Sequence, residues 1–357
     1  MRVLSVAFPF APVGPDAAGG AEQVLSTLDR ALVAAGHRSV VIAQEGSRTA
    51  GELVPVPASR GTLDEALLRR IRTAVRCLVE GRLHEESFDL VHYHGLDFTE
   101  YLAPAGPPAV ATLHLPPSWY PEEALVPREG LTLCCVSRAQ RRALPRTAGE
   151  ATVVRNGVDL ELFRPAGRTE ERGDHVLALG RICPEKGFHL ALDAARAARR
   201  PMILAGAVFP YPEHRRYHRE QILPRLDGRR RFLGAVGVER KPELLRRAQA
   251  LLVPSLAPET SSLVAMESLA CGTPVVAFPV GAVPEVVEDG RTGFLVSDAR
   301  EMAAAISRVD GIDRDACRRA AETHFSAERM VRDYLDLYRR LAEGFPGLAA
   351  VASREAR

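Results

Sequence analysis

Residues 250–278 read ALLVPSLAPETSSLVAMESLACGTPVVAF. Ala250 to Val253 is an apolar run of strand length. Leu263 to Ala270 repeats its apolar residues at helical spacing, and Gly272 and Pro274 close that helix. Val275 to Phe278 is the next short apolar run. Strand, helix and strand with short connections make the βαβ unit of an α/β protein with a parallel sheet.

The same alternation extends outward in both directions. From the N-terminus, Val3 to Phe8 predicts a strand, followed by a Pro- and Gly-rich loop that ends at Gly19-Gly20. Val24, Leu25, Leu28 and Leu32 then recur at helical spacing up to Gly36, and Leu67, Leu68, Ile71, Val75 and Leu78 mark another helix. Val40 to Ala43, Leu90 to Tyr93, Val110 to Leu113, Leu131 to Val136 and Thr152 to Val154 are further strand-like runs. A second series starts near Asp174, with strands Val176 to Leu179, Met202 to Ala205 and Phe232-Leu233, and a helix over Phe188 to Ala198. Runs that are apolar almost throughout suit parallel strands covered on both faces.

This pattern predicts two Rossmann-like, doubly wound domains facing a central cleft. They are expected at residues 1–163 and 174–330, joined by the charged, aperiodic segment Arg164 to Gly173. A terminal helix, 331–345, follows a stripe of Met330, Tyr334, Leu337, Tyr338 and Leu341, and the chain from Gly344 on reads as a frayed tail. Ligands of such sheets bind beyond the carboxyl ends of the strands, so the loops after strands are where chemistry is sought.

Composition narrows the function. The chain has 357 residues, 47 basic and 45 acidic, with a net charge of +2, which argues against a dedicated nucleic-acid binder. No apolar run approaches the roughly 20 residues of a membrane span, and the apolar N-terminus is too short for a signal peptide. A cytoplasmic place is expected, with peripheral attachment to the inner membrane face left open. The six cysteines form no CxxC pair, and no His stands beside them at zinc-ligand spacing, so no structural metal is expected. Of the 47 basic residues only Lys186 and Lys241 are lysines. A lysine retained in such a chain points to a task that arginine does not perform.

Three clusters carry chemistry. Glu259 follows a strand and precedes a helix, and Glu267 lies two turns into that helix. The helix start offers free N–H groups at Ser261 to Leu263, which is an anion site. Two carboxylates around such a site suit a nucleotide sugar, with hydroxyls at both ends and a diphosphate between. Alone, the same residues equally fit a helix start favoured by the dipole. Gly180-Arg181-Ile182-Cys183-Pro184-Glu185-Lys186-Gly187 ends the first strand of the second series. Its Arg fork and Lys point charge suit a diphosphate, although a solvated charge run has the same composition. Gly19-Gly20-Ala21-Glu22 lets backbone approach a ligand at a helix start, and it is not a G-x-G-x-x-G fingerprint.

In order and spacing these words resemble the retaining GT-B glycosyltransferases, specifically glycosyltransferase family 4. The resemblance also takes in His92-Tyr93-His94, Thr112-Leu113-His114, Val136-Ser137, Asn156-Gly157-Val158-Asp159, Phe232-Leu233-Gly234, the GTPVVA tail, Gly281 to Glu285 and Gly290 to Val296. It implies that Arg181 and Lys186 bind the donor diphosphate, Glu267 the ribose hydroxyls and Glu259 the transferred sugar. Backbone at Ser262 and Leu263, beside Ser261, would add to the phosphate site, and backbone at Leu233 and Gly234 would meet the base. Gly19 and Gly20 would close over the diphosphate, and His114 would reach the sugar or acceptor. The reaction implied is metal-independent, hexosyltransferase-type transfer from a nucleoside diphosphate sugar, UDP by commonness, to a small-molecule, glycan or lipid-linked acceptor, with no cofactor. One departure stands out: many relatives carry Phe-Gly where this chain has Ser261-Ser262.

Other readings remain open at this point. They are a GT-B epimerase, hydrolase or phosphorylase, and a non-catalytic GT-B subunit that binds a partner or glycan. His94 and Asp97 are expected to border the acceptor pocket. A shared metal at His92 and His94 is not expected, on the reading that the two face opposite sides of their strand. Asp313-Arg314-Asp315, which has the look of a metal-binding aspartate pair, is read as a charged helix start. The sequence does not indicate the oligomeric state.

Overall fold

The computed structural model describes residues 1–58, 64–167 and 172–344. Residues 168–171 of the expected linker and the expected tail beyond Gly344 lie outside the described residues. The chain divides into two compact units. One is Met1–Arg155 with the chain from Met330 onward, and the other is Asn156–Arg329.

The first unit is a seven-stranded parallel sheet: β1 (Arg2–Val6), β2 (Arg38–Gln44), β3 (Glu52–Val56), β4 (Leu90–Tyr93), β5 (Ala109–Leu113), β6 (Leu131–Cys135) and β7 (Thr152–Val153). Their spatial order is β3-β2-β1-β4-β5-β6-β7. The order reverses between β1 and β4, which opens a switch point at the carboxyl ends of those two strands. β3 was not foreseen. It is an edge strand that contains Pro55 and is only partly buried, so its apolar pattern is weak.

The second unit repeats the plan with β8 (Val176–Leu179), β9 (Met202–Ala205), β10 (Arg230–Phe232), β11 (Leu251–Val253), β12 (Val275–Ala277) and β13 (Gly293–Leu295). The order is β10-β9-β8-β11-β12-β13, again all parallel. Its switch point falls between β8 and β11. The loops that leave those strands are Gly180–Gly187 and Pro254–Ser262, the two segments the sequence singled out. The core here is the apolar strands packed against the helices Phe188–Ala197 and Leu263–Ala270.

The division between the units falls before the segment 164–173, because Val158 already belongs to the second unit. Its N–H donates to Phe325 at 2.8 Å, and its carbonyl accepts from Ala327 at 2.9 Å. Val158 and Phe163 are buried in the second core. The terminal helix Ala327–Glu343 then runs back into the first unit. Met330, Tyr334, Leu337 and Tyr338 are all buried there. Full burial of side chains of this size stabilises by roughly 1.5–3 kcal/mol each. Polar contacts set its register: the Tyr338 hydroxyl meets His92 Nδ1 at 2.6 Å, and the Tyr334 hydroxyl meets Thr112 Oγ1 at 3.1 Å. Tyr338→Phe keeps the packing but leaves a buried imidazole nitrogen unpaired. It should cost about 1–3 kcal/mol, read as a lowered melting temperature. An unchanged melting temperature would show that the bond does not hold the helix.

Candidate active site

In the second unit, Pro184–Lys186 forms a single 3-10 turn after β8, closed by Gly187 at φ 62°. The Gly187 α-carbon lies against the Pro254 carbonyl, where any side chain would collide. Leu256 N–H donates to the Glu185 carbonyl at 2.7 Å. These contacts lock the loop after β8 onto the loop after β11. Glu259 is placed from the other side, since Ala282 N–H donates to its carbonyl at 2.7 Å. Gly281, at φ 61°, admits that close backbone pairing.

Lys186 Nζ therefore stands 2.6 Å from Glu259 Oε1, and Ser255 Oγ donates to the same oxygen. The Glu259 side chain is only 12% exposed. Burial works to raise its carboxyl. Lys186, by charge and by hydrogen bond, together with Ser255 and the Arg181 charge, outweighs burial and holds the group below its ordinary value. Arg181 itself lies over the Phe209 ring at 5.7 Å. The structure thus brings Arg181, Lys186 and Glu259 into one electrostatic cluster. Before any ligand enters, Lys186 and Glu259 are a direct ion pair.

Glu267 sits four residues beyond the helix start, about 6 Å further along the axis. Its Oε1 meets Lys241 Nζ at 2.5 Å, while Oε2 is buried without a hydrogen-bond partner. Burial pushes this carboxyl above its ordinary value in spite of Lys241. At the helix start, Ser261 Oγ accepts from Asn156 Nδ2 at 2.8 Å. Leu263 is the first helical residue. Leu233 and Gly234 lie just past β10, and the Gly234 carbonyl accepts from Gly206 at 2.7 Å.

In the first unit, Gly19 caps the helix Gly20–Ala34, and the Glu22 carboxylate folds back against it. His114 follows β5 and is partly buried. His94 Nδ1 lies 3.0 Å from His114 Nε2 with the rings stacked at 5.3 Å. Burial lowers His114 to about 3 and lowers His94 well below the usual imidazole range, so both are neutral at pH 7. The His114 N–H donates at 2.9 Å to the hydroxyl of buried Tyr120, whereas Trp119 is exposed.

Two family models match the chain. The model of the family described as "Glycosyl transferases group 1" matches residues 173–309, and that of "Glycosyltransferase Family 4" matches residues 18–162. The phosphatidyl-myo-inositol mannosyltransferase of Mycolicibacterium smegmatis is 30% identical over 352 residues, covering 90% of this chain and 88% of that protein. The chain belongs to glycosyltransferase family 4. The D-inositol 3-phosphate glycosyltransferase of Streptomyces avermitilis is 38% identical over 168 residues, covering 42% of this chain and 36% of that protein. The match to the inositol phosphate relatives spans about half of their length or less. AviGT4, a glycosyltransferase involved in avilamycin A biosynthesis, superposes with a TM-score of 0.70 at 25% identity, covering 97% of this chain and 99% of that one.

As a family 4 member, the chain keeps a glycine-like backbone without the glycine. Ser262 adopts φ 54° and ψ 66°, and its hydroxyl is buried without a partner. For an L-residue that conformation costs roughly 1–2 kcal/mol. The opposite-face reading of the histidines is corrected. His92 and His94 face the same side, with ring centroids 3.9 Å apart, because residues two apart on a strand share a face. The His92 ring nitrogens are taken by Tyr338 and Thr112. Asp97 is occupied structurally, accepting from Arg72 at 2.8 Å and Tyr101 at 3.0 Å. Asp313 caps the helix Arg314–His324, and Arg314 donates to Ala248 and Thr273. Cys183, Glu185 and His214 place ligand-type atoms within 4.8 Å of one another, which their spacing did not reveal. The Arg181 charge acts on all three and weighs against a cation there. Lys241 and Ser255 were missed as site residues. The signal available for Lys241 was its rarity.

Two outcomes follow from the donor-side geometry. Both Ser262→Gly and Ser262→Ala remove the unpaired buried hydroxyl, and Ser262→Gly should be the more stable of the two by up to about 1 kcal/mol, the relieved strain less the entropy of glycine. Equal melting temperatures for the two variants would remove backbone strain as the cause. The Glu259 carboxyl is lowered in the folded protein, so its stabilising contribution is present above the ordinary value of 4.5 and is lost as pH falls through the lowered one. Lys186→Met removes the strongest of the groups that oppose burial, leaving only Ser255 and the Arg181 charge against it, and so moves that carboxyl upward. The melting-temperature deficit of the variant should therefore shrink between pH 7 and pH 5. A deficit independent of pH would uncouple the pair.

Proposed function

We propose that the protein is a retaining glycosyltransferase of hexosyl type that moves a sugar from a nucleoside diphosphate to an acceptor. The observation that supports it best is the cluster at the β8–β11 switch point, where Lys186 lies 2.6 Å from a largely covered Glu259 under the charge of Arg181. An ammonium has three donors, and Glu259 takes one of them. The remaining two, with the Arg181 fork and the N–H groups at Ser262 and Leu263, are set to receive a diphosphate. Glu259, held ionised, accepts from hydroxyls of the transferred sugar. Glu267 takes the ribose, and backbone at Leu233 and Gly234 meets the base.

In the reaction the bond from the anomeric carbon to the β-phosphate oxygen breaks, and a bond to the acceptor oxygen forms on the same face. The acceptor proton passes to the departing phosphate, which gains charge as it leaves. Arg181 and Lys186 stabilise that charge most when it is greatest. No metal is assigned in this scheme, because two fixed cations and a helix start supply the positive potential. His114 is neutral, so its role is a hydrogen bond to sugar or acceptor and not proton donation. The names of two relatives specify inositol-bearing substrates, which makes an inositol-type polyol the first acceptor to test. UDP is the first nucleotide to test.

Arg181→Ala is the sharpest test, since Lys186 also neutralises a buried carboxylate and its loss costs stability too. The variant should lose about 100- to 1000-fold in kcat with little change in melting temperature. Wild-type turnover should persist in excess chelator, and the product should keep the donor's anomeric configuration by proton NMR. An inverted product, or activity abolished by chelator and restored by a divalent ion, would overturn the scheme.

A further inference from the structure

We propose that Lys241 is a positioning residue for nucleotide binding. By engaging a single oxygen of Glu267, it leaves the other oxygen to accept a ribose hydroxyl. The inference rests on the donor-site reading above and assigns a role to a residue outside it.

Composition and geometry meet at this point. The chain carries 47 basic residues, and every one except Lys186 and Lys241 is arginine. Each of these two lysines is bonded to one glutamate of the Glu259/Glu267 pair, at 2.6 Å and 2.5 Å. The lysines come from different elements. Lys186 lies in the loop after β8, and Lys241 in the first turn of the helix Arg240–Arg247. The two lysines of the chain thus stand where the two carboxylates of this pair have their cations.

The chemical difference between the two cations explains the choice. A guanidinium presents a planar fork that pairs with both oxygens of a carboxylate at once. An ammonium is a point charge that can neutralise the group through one oxygen. At Glu267 the second oxygen is buried and has no hydrogen-bond partner among the described residues. The side chain is 3% exposed, so water does not readily make up the deficit. A buried acceptor left unpaired costs free energy unless a ligand supplies the donor. Lys241 is itself held in place, with its ammonium 5.5 Å from the centre of the Phe163 ring and its side chain 18% exposed. It fixes the direction of Oε2 as well as the charge.

The test measures binding of UDP, GDP and ADP by calorimetry, each beside its 2′,3′-dideoxy counterpart, on wild type, Lys241→Arg and Lys241→Met. For the diphosphate that binds best, wild type should prefer the ribose form by about 10- to 100-fold, the range for a hydrogen bond to a charged group. Lys241→Arg keeps the charge and should melt near wild type, yet its preference should fall to within about 2-fold of unity as the fork covers both oxygens. Lys241→Met should lose the preference as well, and it serves alone if the arginine variant does not fold. A preference fully kept in either folded variant overturns the role of Lys241 and leaves the donor reading standing. A wild type that binds diphosphates without distinguishing the sugars overturns the assignment of Glu267 Oε2. A wild type that binds none of the diphosphates overturns the donor reading and this inference together.

Discussion

Two carboxylates taken out of water have to be neutralised where they stand, and in this protein each is neutralised by a lysine delivered from elsewhere in the chain. Glu259 and Glu267 are carried by one loop–helix segment, and Lys186 and Lys241 reach them from different elements. The outcomes differ. Glu259 gathers Lys186, Ser255 and the charge of Arg181, and its carboxyl is lowered against the effect of burial. Glu267 has Lys241 alone and its carboxyl is raised. One helix therefore presents a firmly ionised acceptor near its start and a less well satisfied one further along.

Backbone geometry keeps the pairs together. The loop after β8 can lie on the loop after β11 because Gly187 admits the Pro254 carbonyl, and Glu259 is tied to Gly281 by direct backbone pairing. Ser262 takes a left-handed conformation that a glycine would adopt freely. The strain is tolerated because neighbours on both sides are fixed: Asn156 holds Ser261, and the Ser262 carbonyl already accepts from Ala265 and Met266. A buried, partnerless hydroxyl remains at the site as the cost of the exchange.

The first unit uses burial to the opposite end. His92 and His94 are buried and His114 is partly buried, and loss of hydration keeps all three neutral. Tyr334 and Tyr338 from the returning terminal helix complete this network through Thr112 and His92. The terminal helix is thus joined to its sheet by polar contacts as well as by an apolar stripe, so its register against β4 and β5 is specified.

Much of this was legible in the linear chain. Strand–helix alternation gave α/β domains because parallel strands buried on both faces must be apolar throughout. The loops bearing Arg181, Lys186 and Glu259 could be named because they follow strands. Other features were hidden for physical reasons. β3 is an edge strand interrupted by Pro55, so it lacks the apolar run that marks buried strands. Val158 joins the second unit through backbone bonds to Phe325 and Ala327, and no local pattern announces partners so far along the chain. The amino-acid sequence by itself determined the fold class, the position of the candidate site segments and the rarity of lysine, since these depend on periodicity and composition. Only tertiary structure decided that each lysine faces its own glutamate, that His92 and His94 share a face, and that Asp97 is already occupied. Pairing between distant side chains is set by strand order and loop contact, which have no signature in residue spacing.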